Sequence, residues 1–178
     1  QPLPAEGNES QLLVILNSDA ELFAKAKACQ RLAIIGTSKS VPVVAQLLAD
    51  PVLSHYARIA LEANPSPEVD KVFRGALSEL KGRQLVGVIN SIATRKDTQS
   101  VDALLPLAAG ANLEVAAAAV SALGMLATPE SISAVQQALA QKPSLRVTAA
   151  DACLTAADRL LVDGKNEAAL LVLTALRK

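Results

Sequence analysis

Ala33-Ile34-Ile35-Gly36-Thr37-Ser38-Lys39-Ser40-Val41-Pro42-Val43-Val44-Ala45-Gln46-Leu47-Leu48-Ala49-Asp50 is the stretch on which the fold turns. It reads as the end of an apolar helix, a glycine, a short polar turn, a Val-Pro start, and a second apolar helix closing on Leu-Leu and Asp. Glycine ends helices because it adopts backbone conformations that other residues resist. Proline is tolerated in the first helical turn, where its missing N–H has no intrahelical partner to lose. Ala122-Leu123-Gly124-Met125-Leu126-Ala127-Thr128-Pro129-Glu130 repeats the same order of events.

Working outward, the second helices fall into register at Val41, Val69, Val101, Ile132 and Ala168, at intervals of 28, 32, 31 and 36 residues. Each is followed three residues later by another apolar side chain, Val44, Val72, Leu104, Val135 and Leu171, as one face of a 3.6-residue helix requires. The first helices align on Cys29, Tyr56, Val88, Val120 and Ala152. Breaks at Asp50-Pro51, Lys81-Gly82, Arg95-Lys96-Asp97, Lys142-Pro143 and Asp163-Gly164 separate segments of ordinary helix length. Capping chemistry marks several starts. Ser18 with Glu21 reads as a capping box. Ser66-Pro67-Glu68 and Thr128-Pro129-Glu130 place a hydroxyl cap before a proline and an acid, and Asp97 and Ser144 read as further caps. A two-helix unit recurring about every 30 residues predicts an α-solenoid, whose contacts stay between neighbouring repeats. The second repeat departs from the pattern, with Asn64-Pro65-Ser66-Pro67 in place of the glycine turn.

These stretches resemble HEAT-like repeats of the phycobilisome-lyase type, over residues 10–178. The resemblance implies an all-α fold, a right-handed α-solenoid of about five HEAT-like helical hairpins. Residues 1–9, polar and proline-containing, are expected as a flexible lead-in to a repeat domain over 10–178. The resemblance implies a non-catalytic protein–protein interaction scaffold. The alternatives are a cofactor-handling enzyme of bilin-lyase type or a DNA-backbone-binding HEAT-like domain. The arrangement is similar to HEAT domains of exported bacterial proteins, which implies a periplasmic or exported setting, with the cytoplasm as the other option. The chain begins at Gln1 rather than Met, so either a leader is removed or the sequence is a piece of a larger protein.

Composition agrees with helices. Of 178 residues 34 are alanine, while aromatics make up 2% and tryptophan is absent; alanine has the best helix propensity and lets helices approach closely. Lys+Arg and Asp+Glu both number 17, so the basic excess of a dedicated nucleic-acid binder is missing. A local excess remains, with Lys71, Arg74, Lys81, Arg83, Arg95 and Lys96 against Glu79, preceded by Arg58. It reads as a solvated face or as a docking place for an acidic partner.

Catalytic signals are sparse. His55 is the one histidine and stands near a helix start, where it reads as a polar residue at a helix end or repeat interface. Acid–base work needs convergent partners, and a His-rich zinc site or a Ser-His-Asp arrangement needs more than this. The repeated His-Glu pairs of the di-iron relatives of this fold do not occur, nor does a glycine-rich phosphate loop. No cofactor is expected. Cys29 and Cys153, about four repeats apart, are expected as free, buried thiols, because packed helix layers lie roughly 10 Å apart and a disulfide needs Cα atoms within about 7 Å.

Partner contact is expected on the second helices, with Gln46, Lys71, Arg74, Gln136 and Gln137 as candidate exposed polar positions in apolar helices. The last helix carries Leu170, Leu171, Val172, Leu173 and Leu176, too many for one apolar stripe. Leu170 or Leu173 is therefore expected to face away from the preceding repeat, giving a surface for self-association or for further chain.

Overall fold

A computed structural model describes residues 8–176, and these form helices with no strand. In chain order a short helix α1 (Glu9–Leu16) precedes five successive pairs. They are α2 (Leu22–Ile35) with α3 (Val41–Ala45, extended by a 3-10 turn over Gln46–Ala49), and α4 (Ser54–Ala63) with α5 (Glu68–Glu79). Next come α6 (Gly82–Arg95) with α7 (Val101–Ala109), α8 (Leu113–Leu126) with α9 (Pro129–Gln141), and α10 (Arg146–Val162) with α11 (Asn166–Ala175). The first four pairs fall where the sequence register puts them, and the fold is an all-α solenoid of helical hairpins. The chain divides into two compact units, one running to Ser91 and the other from Ile92.

In the first unit α2 packs on α1 and α4, and α3 packs beside α4 and α5, so contacts stay between near neighbours. Stacking of first helices is close because Ala28, Ala57 and Ala60 face the core. Leu32, Val44, Leu61, Val69, Phe73 and Ile89 fill it and are fully buried. Each such side chain contributes about 1.5–3 kcal/mol through burial.

Two expectations need correction in the first unit. The expected lead-in, 1–9, lies outside the described residues as far as residue 7, but Asn8 caps α1 and Glu9 begins it. The Asn8 Oδ1 accepts from the Gln11 N–H at 3.0 Å, and the Gln11 side chain answers the Asn8 N–H at 3.1 Å. This is the capping box of the first unit. Ser18 and Glu21 form none. The Ser18 hydroxyl donates to the Ile15 carbonyl at the end of α1 and accepts from the Ala20 N–H, so it turns the chain rather than starting α2. Glu9 ties α1 to the turn before α3, accepting from the Thr37 N–H at 2.7 Å and from its hydroxyl.

Asn64 explains why the second repeat needs no glycine turn. It is buried, its Nδ2 donates to the Thr37 carbonyl at 2.8 Å, and its Oδ1 accepts from the Ser66 N–H at 2.9 Å. One side chain thus sets its own turn and holds the turn of the previous repeat. Ser66 accepts from the Glu68 N–H and bonds the Glu68 carboxylate, but α5 begins at Glu68 with Pro67 at its cap position, so the expected hydroxyl cap stands one residue early.

In the second unit α8 packs against α7, α9 and α10, and α10 against α9 and α11. The Thr128 hydroxyl caps α9 through Ser131 N–H, and Asp97 caps the 3-10 turn Thr98–Ser100 before α7. Ser144 is no cap: it lies inside the 3-10 turn Pro143–Leu145, and α10 starts without a side-chain cap. Gly124 lets α8 and α10 approach, since a Cβ there would stand 2.6 Å from the Ala152 carbonyl oxygen. The last hairpin is one residue out of the expected register. Ala169 and Val172 are its buried pair, whereas Leu171 is exposed.

Candidate functional site

The sequence-derived contact positions occupy two separate places. In the first unit Gln46 is exposed on the 3-10 turn that extends α3. Lys71 is exposed and Arg74 half-buried, three residues apart on α5. In the second unit Gln137 is exposed and Gln136 half-buried on α9. Gln137 also lines a groove of about 210 Å³ between α7 and α9. Leu105, Ala108, Ala134 and Ala138 supply its apolar part, and Gln137 donates to Gln141 at 3.3 Å on its rim. At its end the Lys142 ammonium caps α7, reaching the carbonyls of Ala108 at 3.0 Å and Ala109 at 2.7 Å. A cation at a helix C-terminus meets the open carbonyls and the negative end of the dipole.

A second recess, in the first unit, escaped the sequence reading. It measures about 370 Å³ and is lined by Pro51, Val52, Ser54, His55, Arg58, Arg83 and Gln84. His55, Arg58 and Glu62 follow at helical spacing on α4, and Arg83, Gly87 and Ser91 at helical spacing on α6. Arg58 Nη1 lies 3.6 Å from Glu62 Oε1 and donates to the Gly87 carbonyl at 3.2 Å and to Ser91 at 3.4 Å. Ser91 donates in turn to Glu62 at 2.5 Å. Arg58 Nη2 lies 3.3 Å from His55 Nδ1. A guanidinium only donates, so this ring nitrogen accepts and the ring proton sits on Nε2. His55 is thus drawn into a network that fixes its orientation. Arg58 to Gly87 and Glu62 to Ser91 are both 29 residues apart, one repeat, an offset that identifies a pairing only once α4 is seen beside α6. The recess lining contains two guanidinium groups and no carboxylate.

The other titratable groups set apart by the structure are buried or tied down. Burial pushes the Cys29 thiol up to about 11 and that of Cys153 upward as well, and both are free thiols. Burial raises the pKa of Glu9, but the N–H and hydroxyl of Thr37, with Ser40 and Lys39 beside them, outweigh it and hold the carboxyl below its ordinary value. Among the described residues no helix is long and apolar enough to cross a membrane, and no three His, Cys, Asp or Glu side chains converge as metal ligands.

Open apolar surface of the second unit lies on α10 and α11, besides Leu113 and Met125 on α8. Leu170 and Leu171 are 65% and 72% exposed, Leu173 is half-buried, and Val147, Leu154 and Leu161 on α10 are exposed too. The expectation that Leu170 or Leu173 faces away is met by Leu170, and the longer α10 does not cover it.

Residues 81–155 match the family model described as HEAT repeats. The match is to HEAT repeats in general and does not single out the phycobilisome-lyase type. No curated protein matches the chain.

Proposed function

We propose that this chain, a HEAT-like repeat protein, works as a non-catalytic scaffold that binds a protein partner through its second helices. HEAT repeats are commonly protein-interaction scaffolds and generally non-catalytic. The observation that carries the reading is the α7–α9 groove, whose apolar floor and glutamine rim suit a partner's side chain. Gln137 with Gln136 in the second unit, and Gln46, Lys71 and Arg74 in the first, are the contact residues of this reading.

The test is capture of partner proteins on the full chain, repeated with Gln46→Ala, Lys71→Glu, Arg74→Glu, Gln136→Ala and Gln137→Ala combined. Loss of the captured protein, with the circular-dichroism melting curve unchanged, supports the assignment. Undiminished capture removes these residues from it.

Self-association through α11 is a second part of the reading, supported by the exposure of Leu170 and Leu171. Molar mass by sedimentation should rise with concentration, and Leu170→Lys with Leu171→Lys should abolish the rise. A constant monomer mass would exclude it.

A further inference from the structure

The recess between α4 and α6 is a built place for an anion, and its construction points to one kind of ligand. Arg58 is immobilised from behind by Glu62, the Gly87 carbonyl and Ser91. Its side chain fits there because Gly87 has no Cβ: one would stand 2.6 Å from Arg58 Nε and 2.8 Å from Cζ. A glycine inside a helix is destabilising relative to alanine, so the helix gives up propensity to seat this guanidinium. Arg58 in turn holds His55 by Nδ1, which leaves the Nε2–H as a donor. Arg83 and Gln84 come from α6, and among the described residues none makes a hydrogen bond or ion pair with Arg83. Pro51 and exposed Val52 supply an apolar wall.

Charge decides between anions. Arg58 is paired with Glu62, so among the lining residues the charge left over is the single positive charge of Arg83. That matches one carboxylate, which a guanidinium binds in a two-pronged geometry, better than a phosphate group carrying between one and two charges. At about 370 Å³ the recess is small for a ligand pocket, of a size for an acidic side chain and its methylene stem along the Val52 wall. Resting on the scaffold reading above, we infer that this recess receives the carboxylate of an acidic segment of the partner protein, held by Arg83 and Arg58 with His55 Nε2–H as an orienting donor. It is a contact point on the first helices, apart from those assigned to the second helices.

His55 is the one histidine of the chain, so its imidazole resonances report on this recess alone. The experiment follows them by NMR while the full chain is titrated with a blocked tetraglutamate peptide, the tetraglutamine counterpart and inorganic phosphate. Tetraglutamate should shift them saturably and tetraglutamine should not. Arg83→Gln, at an exposed position where folding is not at stake, should weaken the tetraglutamate response at least about tenfold. Equal response to tetraglutamine, no saturation, or unaltered binding by Arg83→Gln would overturn the inference. Tighter binding of phosphate than of tetraglutamate would overturn it as well, and reassign the recess to phosphate-bearing ligands. Partner capture with the native chain and with Arg83→Glu separates this inference from the reading beneath it. Capture by both sinks the recess as a partner contact and leaves the scaffold standing, whereas capture by neither sinks the scaffold reading.

Discussion

The guanidinium of Arg58 rests on the backbone of Gly87, one repeat away, with its Nη1 donating to the Gly87 carbonyl at 3.2 Å. The contact joins α4 to α6 and couples two choices that look unrelated in the sequence, an arginine and a helical glycine. It also carries His55, whose Nδ1 takes a bond from the same guanidinium.

Gly87→Ala should therefore change the local network more than the stability. Alanine gains about 1 kcal/mol of helix propensity. Against this, the added Cβ pushes the flexible end of Arg58 away and forfeits hydrogen bonds worth about 0.5–1.5 kcal/mol each. Urea unfolding should place the variant within about 1 kcal/mol of the native chain, while the His55 ring resonances move. An unmoved His55 spectrum would show that Gly87 does not seat Arg58.

Gly124→Ala, the same chemical change in the second unit, should behave differently. Here the new Cβ meets the carbonyl oxygen and Cα of Ala152, at 2.6 and 2.9 Å. Backbone cannot swing aside, so α8 and α10 must separate. Overpacking of this kind costs about 1–3 kcal/mol, and the propensity gain offsets only part of the upper range. Denaturant unfolding should show a net loss, and equal or greater stability would mean that the two helices reposition freely.

The thiols should be inert in the folded protein. Both are buried, and burial pushes Cys29 up to about 11, so little thiolate exists near neutral pH. At pH 8 a disulfide-exchange reagent should label neither cysteine until denaturant is added, after which two equivalents react. Rapid labelling of the native chain would contradict the packing of α2 and α10.

Acid should loosen α1 before the rest of the first unit. Glu9 has a folded pKa below its ordinary 4.5. Its contribution is therefore complete above pH 4.5 and is lost as pH falls through the lowered folded value. The protection of the Thr37 and α1 amides, taken relative to their intrinsic exchange rates at each pH, should fall over that range in the native chain. In Glu9→Gln exchange should already be faster at neutral pH, with no further step on acidification. Parallel pH profiles for the two chains would rule the Glu9–Thr37 tie out as the cause.

Helix pairing, the positions of most turns, and the burial of Val41, Val44, Val69, Leu104 and Val135 were legible in the chain alone. Apolar periodicity and the Gly, Pro and Thr-Pro-Glu signals act over a few residues, and the repeat copies each signal several times, so local error averages out. The register of α11 was not legible, because Ala168-Ala169-Leu170-Leu171-Val172-Leu173 is apolar in every direction and periodicity carries no phase there. Only packing against α10 chose Ala169 and Val172. Asn8 was hidden for another reason: a cap is recognised by the helix it starts, and α1 is a short helix of eight residues. The recess of His55, Arg58 and Arg83 belongs wholly to the tertiary structure. Its residues come from two helices a full repeat apart, and hydrogen-bond geometry and a missing Cβ, which have no one-dimensional trace, bring them together. Local propensity determined where this chain is helical, and the close approach of one helix to the next decided which of its polar side chains share a site.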